Sequence, residues 1–434
     1  MIDAPCGSGK TSWAIQEMNK CPEQSCIYVT PFLDEITRIR AACCKHRFTE
    51  PIPYYGTKID DFNNLLAQGK DIAVTHSTFL NATQETADRI ADGEYTIYID
   101  EALDVIEDFN KATESDPIQR ICDGDIDLLI KEKLISISDD FRVSWTGGEY
   151  GSDNKFSMVA NFSRLGRLYC ARRKLMLCVF PPDIFTACKQ VYILTYLFGG
   201  SMFKSYLDMF GIEYDVMSVR RSADGEAYCI CEHDAEAEKR FRNKCDKLIT
   251  VCDNARINGG YKPGAFTKSW YDTNARDRDV FKRIRSDTRY FFETIAKAKA
   301  KDILFTCPEE YFDKVKGQGY TCVRRLTKEE NNLPDKERKK LKKKLDCFVP
   351  LNARASNDYC ERWALAYIHN MNPNTMIKGF FEDSGIDFNK DLFAISCLIQ
   401  WIFRSRVRND QDVILYLPSP RMRKLFRLWI DGNL

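Results

Sequence analysis

A chain of 434 residues, 44% hydrophobic, 29% charged and 12% aromatic, has the length for two medium domains or one large one and enough apolar side chains to fill their cores. That composition excludes disorder, collagen and coiled coil. No apolar run approaches the roughly 18 residues that span a bilayer, and no basic-then-apolar region opens the chain. The 18 cysteines are therefore expected as reduced thiols of a cytoplasmic protein with no membrane partner. The net charge of +1 conceals an asymmetry. Residues 1–219 carry 22 Lys and Arg against 32 Asp and Glu, whereas residues 220–434 carry 42 against 31. An acidic half joined to a basic half suggests two domains, the basic one suited to a polyanion.

A loop over Asp3–Lys10 feeds a helical pattern over Thr11–Met18. A strand is expected at Cys26–Thr30, a helix at Leu33–Cys44, and further strands at Asp71–Thr75 and Tyr95–Ile99. Strands alternating with helices argue for α/β architecture with a parallel sheet. Between Glu101 and about Gln190 the rhythm breaks. Asp123–Ile130 reads as helix and Leu134–Trp145 as an antiparallel pair, while Gly147, Gly148, Gly151 and Asn154 mark a loop or hairpin tip. This stretch is expected as an insertion in the first domain. Val191–Thr195 returns to a strand and Met202–Phe210 to a helix, with a junction expected near residues 215–225. Beyond it, helices are expected at Asp279–Ala300, Pro308–Lys316, Tyr359–Asn370, Leu392–Phe403 and Arg421–Ile430. Strands are expected at Asp302–Thr306 and Asp412–Leu417, and the basic run Lys336–Leu345 as a surface excursion.

Ala4-Pro5-Cys6-Gly7-Ser8-Gly9-Lys10-Thr11 has the spacing of a phosphate-binding loop of the Walker A kind, with Ala at its first position. Small residues let successive backbone N–H groups curl round a phosphate, and the following helix presents its positive end. In that pattern Lys10 reaches the β- and γ-phosphates and Thr11 offers its hydroxyl to Mg2+. Only Met1-Ile2-Asp3 precede the loop, so the first strand is expected to be very short. Ile97-Tyr98-Ile99-Asp100-Glu101 ends an apolar strand in two acids. A strand delivers such acids to the carboxyl edge of a sheet, where Asp100 can hold the metal and Glu101 can orient or deprotonate water. Loop and acids together point to an NTPase.

On these motifs the sequence resembles the DEAD/DEAH-box-like helicases of superfamily two, and the shorter helicase-like ATPases encoded by bacteriophages. The resemblance implies two RecA-like parallel-sheet domains in tandem, residues 1–218 and 219–434, with an insertion at about 104–190 in the first. Thr30-Pro31 and Thr75-His76 resemble nucleic-acid-contacting motifs. Thr195 stands where the coupling motif ends, and Asn352 to Ser356 occupy the place of the fifth motif. Gln400 and Arg404 match the start of the sixth motif, implying ATP-sensing residues, with Arg406 or Arg408 as the later arginine finger. ATP and Mg2+ are the implied cofactors. The implied partner is nucleic acid, single-stranded or forked DNA before RNA, with other replication proteins, in the cytoplasm of a bacterial host. A duplex translocase or packaging-type motor shares every hydrolytic residue. A nucleotide-gated initiator or loader with slow hydrolysis and no motor activity is the non-motor reading.

Arg404, Arg406, Arg408, Arg421, Arg423, Lys424 and Arg427 lie close in sequence to Trp401, Tyr416 and Trp429. The arginines suit phosphate, and the aromatics either stack on bases or face a core. Cys229, Cys231 and His233, with Cys245 or Cys252, form a second grouping, of soft metal ligands. Cys43, Cys44 and His46 form a sparser one.

Overall fold

The computed structural model describes all residues except 54–55, 114–118, 149–154, 319, 321–327, 336, 339–346 and 352–358. Asn352 and Ser356, most of the basic run Lys336–Leu345, and the expected tip residues Gly151 and Asn154 lie outside the described residues.

The chain opens with β1 (Ile2–Asp3), β2 (Cys26–Thr30), β3 (Ile72–Thr75) and β4 (Thr96–Asp100). It then leaves the sheet for β5 (Ile106–Asp108), β6 (Ile135–Ile137), β7 (Val143–Trp145), β8 (Leu168–Ala171) and β9 (Leu175–Val179), and returns as β10 (Gln190–Thr195). The first sheet has the order β1-β10-β4-β2-β3, every pair parallel. All five residues of β2 are buried. That is how a central parallel strand with both faces covered reads: a continuous apolar run without alternation. The helix Lys10–Lys20 buries Trp13, Ala14 and Met18. Trp13 packs edge-on to Tyr192 at 5.1 Å, and Tyr192 stacks on Tyr98 at 5.2 Å. That aromatic stack fixes where the helix begins, and so where the loop before it sits.

The excursion between β4 and β10 has its own core of Phe109, Ile126, Leu129, Val159, Leu168 and Met176. It pairs β5, β9 and β8 as an antiparallel sheet and β6 with β7 as a hairpin. A second hairpin follows β10: β11 (Ser218–Arg221) and β12 (Tyr228–Cys231).

The second sheet comprises β13 (Ile249–Val251), β14 (Ile303–Thr306), β15 (Ala364–Tyr367) and β16 (Val413–Tyr416). Its order is β13-β16-β15-β14, again parallel throughout. Here one expectation fails: Tyr359–Asn370 is not a helix but carries the inner strand β15. Trp363-Ala-Leu-Ala-Tyr-Ile368 is apolar at every position because the strand is covered on both faces, and a run without period fits helix and buried strand equally. The helix Lys390–Ile402 buries Ala394, Ile395, Leu398, Ile399, Trp401 and Ile402.

The described chain divides into two compact units. One comprises Met1–Ala4, Ser8–His233 and Pro373–Asn389, the other Pro5–Gly7, Asp234–Asn372 and Lys390–Leu434. Each holds one parallel sheet with helical crossovers, so the fold is two RecA-like domains in tandem with an insertion in the first. No helix among the described residues is long and apolar enough to cross a membrane.

Candidate functional site

Parallel pairing sets Asp3 beside Thr195, Leu194 beside Asp100, Val29 beside Ile99 and Thr30 beside Thr75. The last residues of all five strands therefore share the carboxyl edge of the first sheet, the edge at which open α/β sheets bind ligands. Six residues singled out in the sequence are brought together there: Thr30, Thr75, His76, Asp100, Glu101 and Thr195. The loop leaving β1 starts from the same edge.

The loop carries two left-handed glycines, Gly7 at φ 79° and Gly9 at φ 97°, conformations that a side chain disfavours. Gly9 has a second reason to lack one. A Cβ there would stand 2.0 Å from the ring of Tyr228. Tyr228 is held by its backbone N–H, which donates to Gln16 Oε1 at 2.8 Å, so the hairpin β11–β12 seats on the helix Lys10–Lys20. Ser8 Oγ is buried and meets no hydrogen-bond partner among the described residues. Lys10 folds back, its Nζ donating to the Ala4 carbonyl at 2.5 Å. Pro5 and Cys6 are partly buried, and Thr11 is the second residue of the helix.

Asp100 sits in low-dielectric surroundings. Burial first, then the charges of Glu101 and Glu35, push its carboxyl up to about 7 against the pull of Lys10 and the Tyr28 hydroxyl. Tyr28 donates to Asp100 Oδ2 at 3.2 Å, and His76 Nε2 donates to the Asp100 carbonyl oxygen at 2.8 Å. Glu101 leaves the strand at φ 66°, its N–H donating to the Leu194 carbonyl at 2.9 Å. Both Asp3 oxygens accept backbone N–H groups, from Leu197 at 2.8 Å and Phe198 at 3.0 Å. The turn after Thr195 is thus clamped to the strand that carries the loop. Thr75 Oγ1 shares hydrogen bonds with Ser77 and Thr78, at 3.0 and 3.2 Å. Thr30 is fully buried with its Oγ1 accepting from Phe32 N–H, and Pro31 is partly buried.

These residues fit a phosphate and a divalent cation. Left-handed glycines make a nest of N–H groups, Ser8 Oγ is orphaned, and the lysine rests on a carbonyl that a phosphate oxygen can replace. The carboxylates Asp100, Glu101 and Glu35 crowd negative charge in a poorly solvated place, which a cation relieves. Asp3, Tyr28 and Tyr228 belong to this site and were not legible as such. Tyr28 reads only as core in an apolar strand, and Tyr228 arrives by a contact more than 200 residues away in sequence.

Of the second unit's candidates, Arg404 is 8% exposed and donates to the Pro350 and Leu351 carbonyls, at 3.1 and 3.2 Å. Arg406 donates to the Asp412 carbonyl at 2.5 Å and faces the Trp363 ring, whereas Arg408 is exposed. Gln400 is partly buried, its Nε2 3.5 Å from Ser396 Oγ. Trp401, Tyr416 and Trp429 are core residues.

A phosphate loop and a strand-end acid pair on a scaffold of two parallel sheets define the class of fold, two RecA-like domains in tandem. An XPD helicase structure matches all of this chain and 94% of its own, at 13% identity and a TM-score of 0.50. A second, Xpd4 from S. tokodaii, matches 98% of this chain and 92% of its own, at 13% identity and a TM-score of 0.49. Residues 243–430 match the family described as the YonV C-terminal Rossmann-like domain. The SPbeta prophage-derived uncharacterized protein YonV of Bacillus subtilis (strain 168) is 30% identical over 444 residues, spanning 100% of this chain and 98% of that protein. The chain belongs to the YonV family.

Proposed function

We propose that this protein is an ATP hydrolase acting as a nucleic-acid helicase or translocase, which couples hydrolysis to movement on, or unwinding of, DNA or RNA. A role in phage replication or recombination is part of the reading, supported by the prophage origin of its relative. The observation that carries it is the shared carboxyl edge. There the strand of the phosphate loop is separated from Asp100 by one strand, β10, and the turn after that strand is clamped by Asp3.

In this reading Pro5 to Thr11 cradle the phosphates, Lys10 balances their charge, and Thr11 and Asp100 hold Mg2+. The ion, when bound, supplies Lewis-acid charge to the phosphoryl oxygens. Glu101 orients the attacking water. Tyr28 and His76 hold Asp100 in place from its side-chain and backbone oxygens respectively. Thr30, Pro31, Thr75 and His76, themselves buried or half-buried, support the segments at the sheet edge that meet the nucleic acid, and Thr195 transmits between the two.

Steady-state ATP hydrolysis with and without single-stranded DNA, duplex DNA and RNA tests the proposal, with Lys10→Ala as the blank. Stimulation by one polymer, lost at least ~100-fold in the variant, supports a motor and names its track. Unstimulated or absent hydrolysis with every polymer would transfer the site to a nucleotide-gated binding protein. A strand-displacement assay then separates helicase from translocase.

A further inference from the structure

The amino-terminal edge of the first sheet, opposite the loop and the acids, holds a buried cluster of different chemistry. Cys26 begins β2, Asp71 immediately precedes β3, and His46 follows the helix Leu33–Ala42. Cys26 is fully buried and His46 is 5% exposed. Cys26 Sγ, a ring nitrogen of His46 and a carboxylate oxygen of Asp71 all lie within 4.8 Å of one another.

Hydrogen bonding decides which ring nitrogen faces the cluster. His46 Nε2 lies 2.8 Å from the Met18 carbonyl oxygen, which only accepts, so Nε2 carries the hydrogen. In the neutral ring Nδ1 is then a bare lone pair, and it lies 3.0 Å from Asp71 Oδ2. Two lone pairs at that distance in a buried place repel unless a cation lies between them. The cation is either a proton, giving an imidazolium–carboxylate pair, or a metal ion.

Two observations favour the metal. Cys26 Sγ is a third donor within 4.8 Å of the other two, and an ion pair has no use for it. Finally, the supporting bonds are in place. Nε2–H is anchored on Met18, and Asp71 Oδ1 accepts the Cys26 N–H at 2.9 Å, the outer contacts that orient metal ligands.

We propose that Cys26 Sγ, His46 Nδ1 and Asp71 Oδ2 bind one zinc ion. A thiolate, an imidazole and a carboxylate supply three of the four tetrahedral positions and leave the fourth to solvent. Binding expels the Cys26 thiol proton and draws its Sγ away from the Gln24 carbonyl that it faces at 3.3 Å. The Asp71 side chain, 20% exposed, gives the ion its entrance. Filled, the site ties the starts of β2 and β3 to the segment after the helix Leu33–Ala42, on the edge away from Thr30 and Thr75.

The test is elemental analysis of the full chain, purified without a metal-affinity tag. About one zinc per chain is expected, falling at least tenfold in Cys26→Ser and His46→Ala and unchanged in the neighbouring exposed Cys44→Ser. Should the first two fail to fold, Co2+ titrated into chelator-stripped wild type reports the same site. A thiolate-to-cobalt charge-transfer band saturating at one equivalent, with a rise in Tm, supports it. A folded chain that takes up neither Zn2+ nor Co2+ overturns the proposal in favour of the His46–Asp71 ion pair. Zinc lost instead in Cys229→Ser/Cys231→Ser overturns it too.

Discussion

Glu101 combines a left-handed backbone, φ 66°, with a place directly after the acid that ends β4. A glutamate in that region costs on the order of 1 kcal/mol, and residues so strained persist where surrounding structure over-determines them. Here the N–H bond to Leu194 does so. Because that bond is made by backbone, Glu101→Gln should leave Tm within a degree while lowering ATP turnover by roughly 10²–10⁴. Intact turnover in the variant would remove the water-orienting role. His369 makes a different kind of prediction. Burial holds its ring down to about 4 against 6.5, and its Nδ1 finds no hydrogen-bond partner among the described residues. Between those values the unfolded chain binds the extra proton, so stability rises with pH and is lost as pH falls from 6.5 towards 4. The loss attributable to this ring is roughly 2 kcal/mol between pH 7 and pH 5. Urea midpoints at the two values should show that gap in wild type and its absence in His369→Phe. An equal acid limb in both would assign the effect elsewhere.

The helix Thr375–Asp383 follows the second sheet's β15 in sequence yet packs with the first unit, where it covers β8. Two contacts hold it, and their magnitudes differ. Arg172 and Asp383 form a bidentate pair at 2.7 and 2.8 Å, but both side chains are substantially exposed, 46% and 32%, so the pair is screened by solvent and contributes little. Phe380 is 1% exposed and meets Phe141 and Tyr169 edge-on, at 5.7 and 6.1 Å. Phe380→Ala should cost about 3–5 kcal/mol and Asp383→Asn far less, read as denaturant midpoints. The reverse ranking would mean the ion pair anchors the helix. Elements like this one bound what a sequence shows. Strand β2 was legible to the residue because its buried apolar run is closed by Pro31. The return of Thr375–Asp383 was not, since only distant aromatics specify it. The sheet of β5, β9 and β8 escaped notice because its strands are short and joined by turns at Arg172 and Arg173, left-handed without glycine. Likewise, the phosphate loop and acids declared themselves by local spacing. Tyr228 and Asp3 did not, because their roles exist only once the sheet has formed.

At the scale of the whole molecule, a net charge of +1 gives a polyanion no reason to approach. Attraction must therefore come from local clusters in the basic half, and the structure narrows which. Arg421 is engaged by Asn370 and Asp391, Arg423 by the Leu417 and Pro418 carbonyls, and Arg427 by Asp246. Arg421 and Arg423 are thus taken up by internal structure, whereas Arg427 makes an exposed ion pair. On the helix Ala235–Leu248, Arg240, Lys244 and Lys247 recur at helical spacing, are exposed, and line one recess with Asn243 and Asp410; Arg240 and Lys244 make only exposed ion pairs, with Asp234 and Asp410. If these side chains meet phosphates, each neutralised phosphate releases condensed counterions, contributing about −0.7 to the log–log salt slope on single strands. Binding of the full chain to a fluorescent single strand should therefore weaken steeply between 50 and 200 mM salt, an interval over which about 6–10 phosphate contacts lose 10³–10⁵ in affinity. Arg240→Ala and Lys247→Ala should each reduce the slope by about one contact and weaken all sequences alike. Arg423→Ala, whose guanidinium donates to the Leu417 and Pro418 carbonyls, should leave the slope unchanged. A slope insensitive to the helix variants would place the polyanion on another surface, and a flat salt dependence would remove the electrostatic basis for a nucleic-acid track.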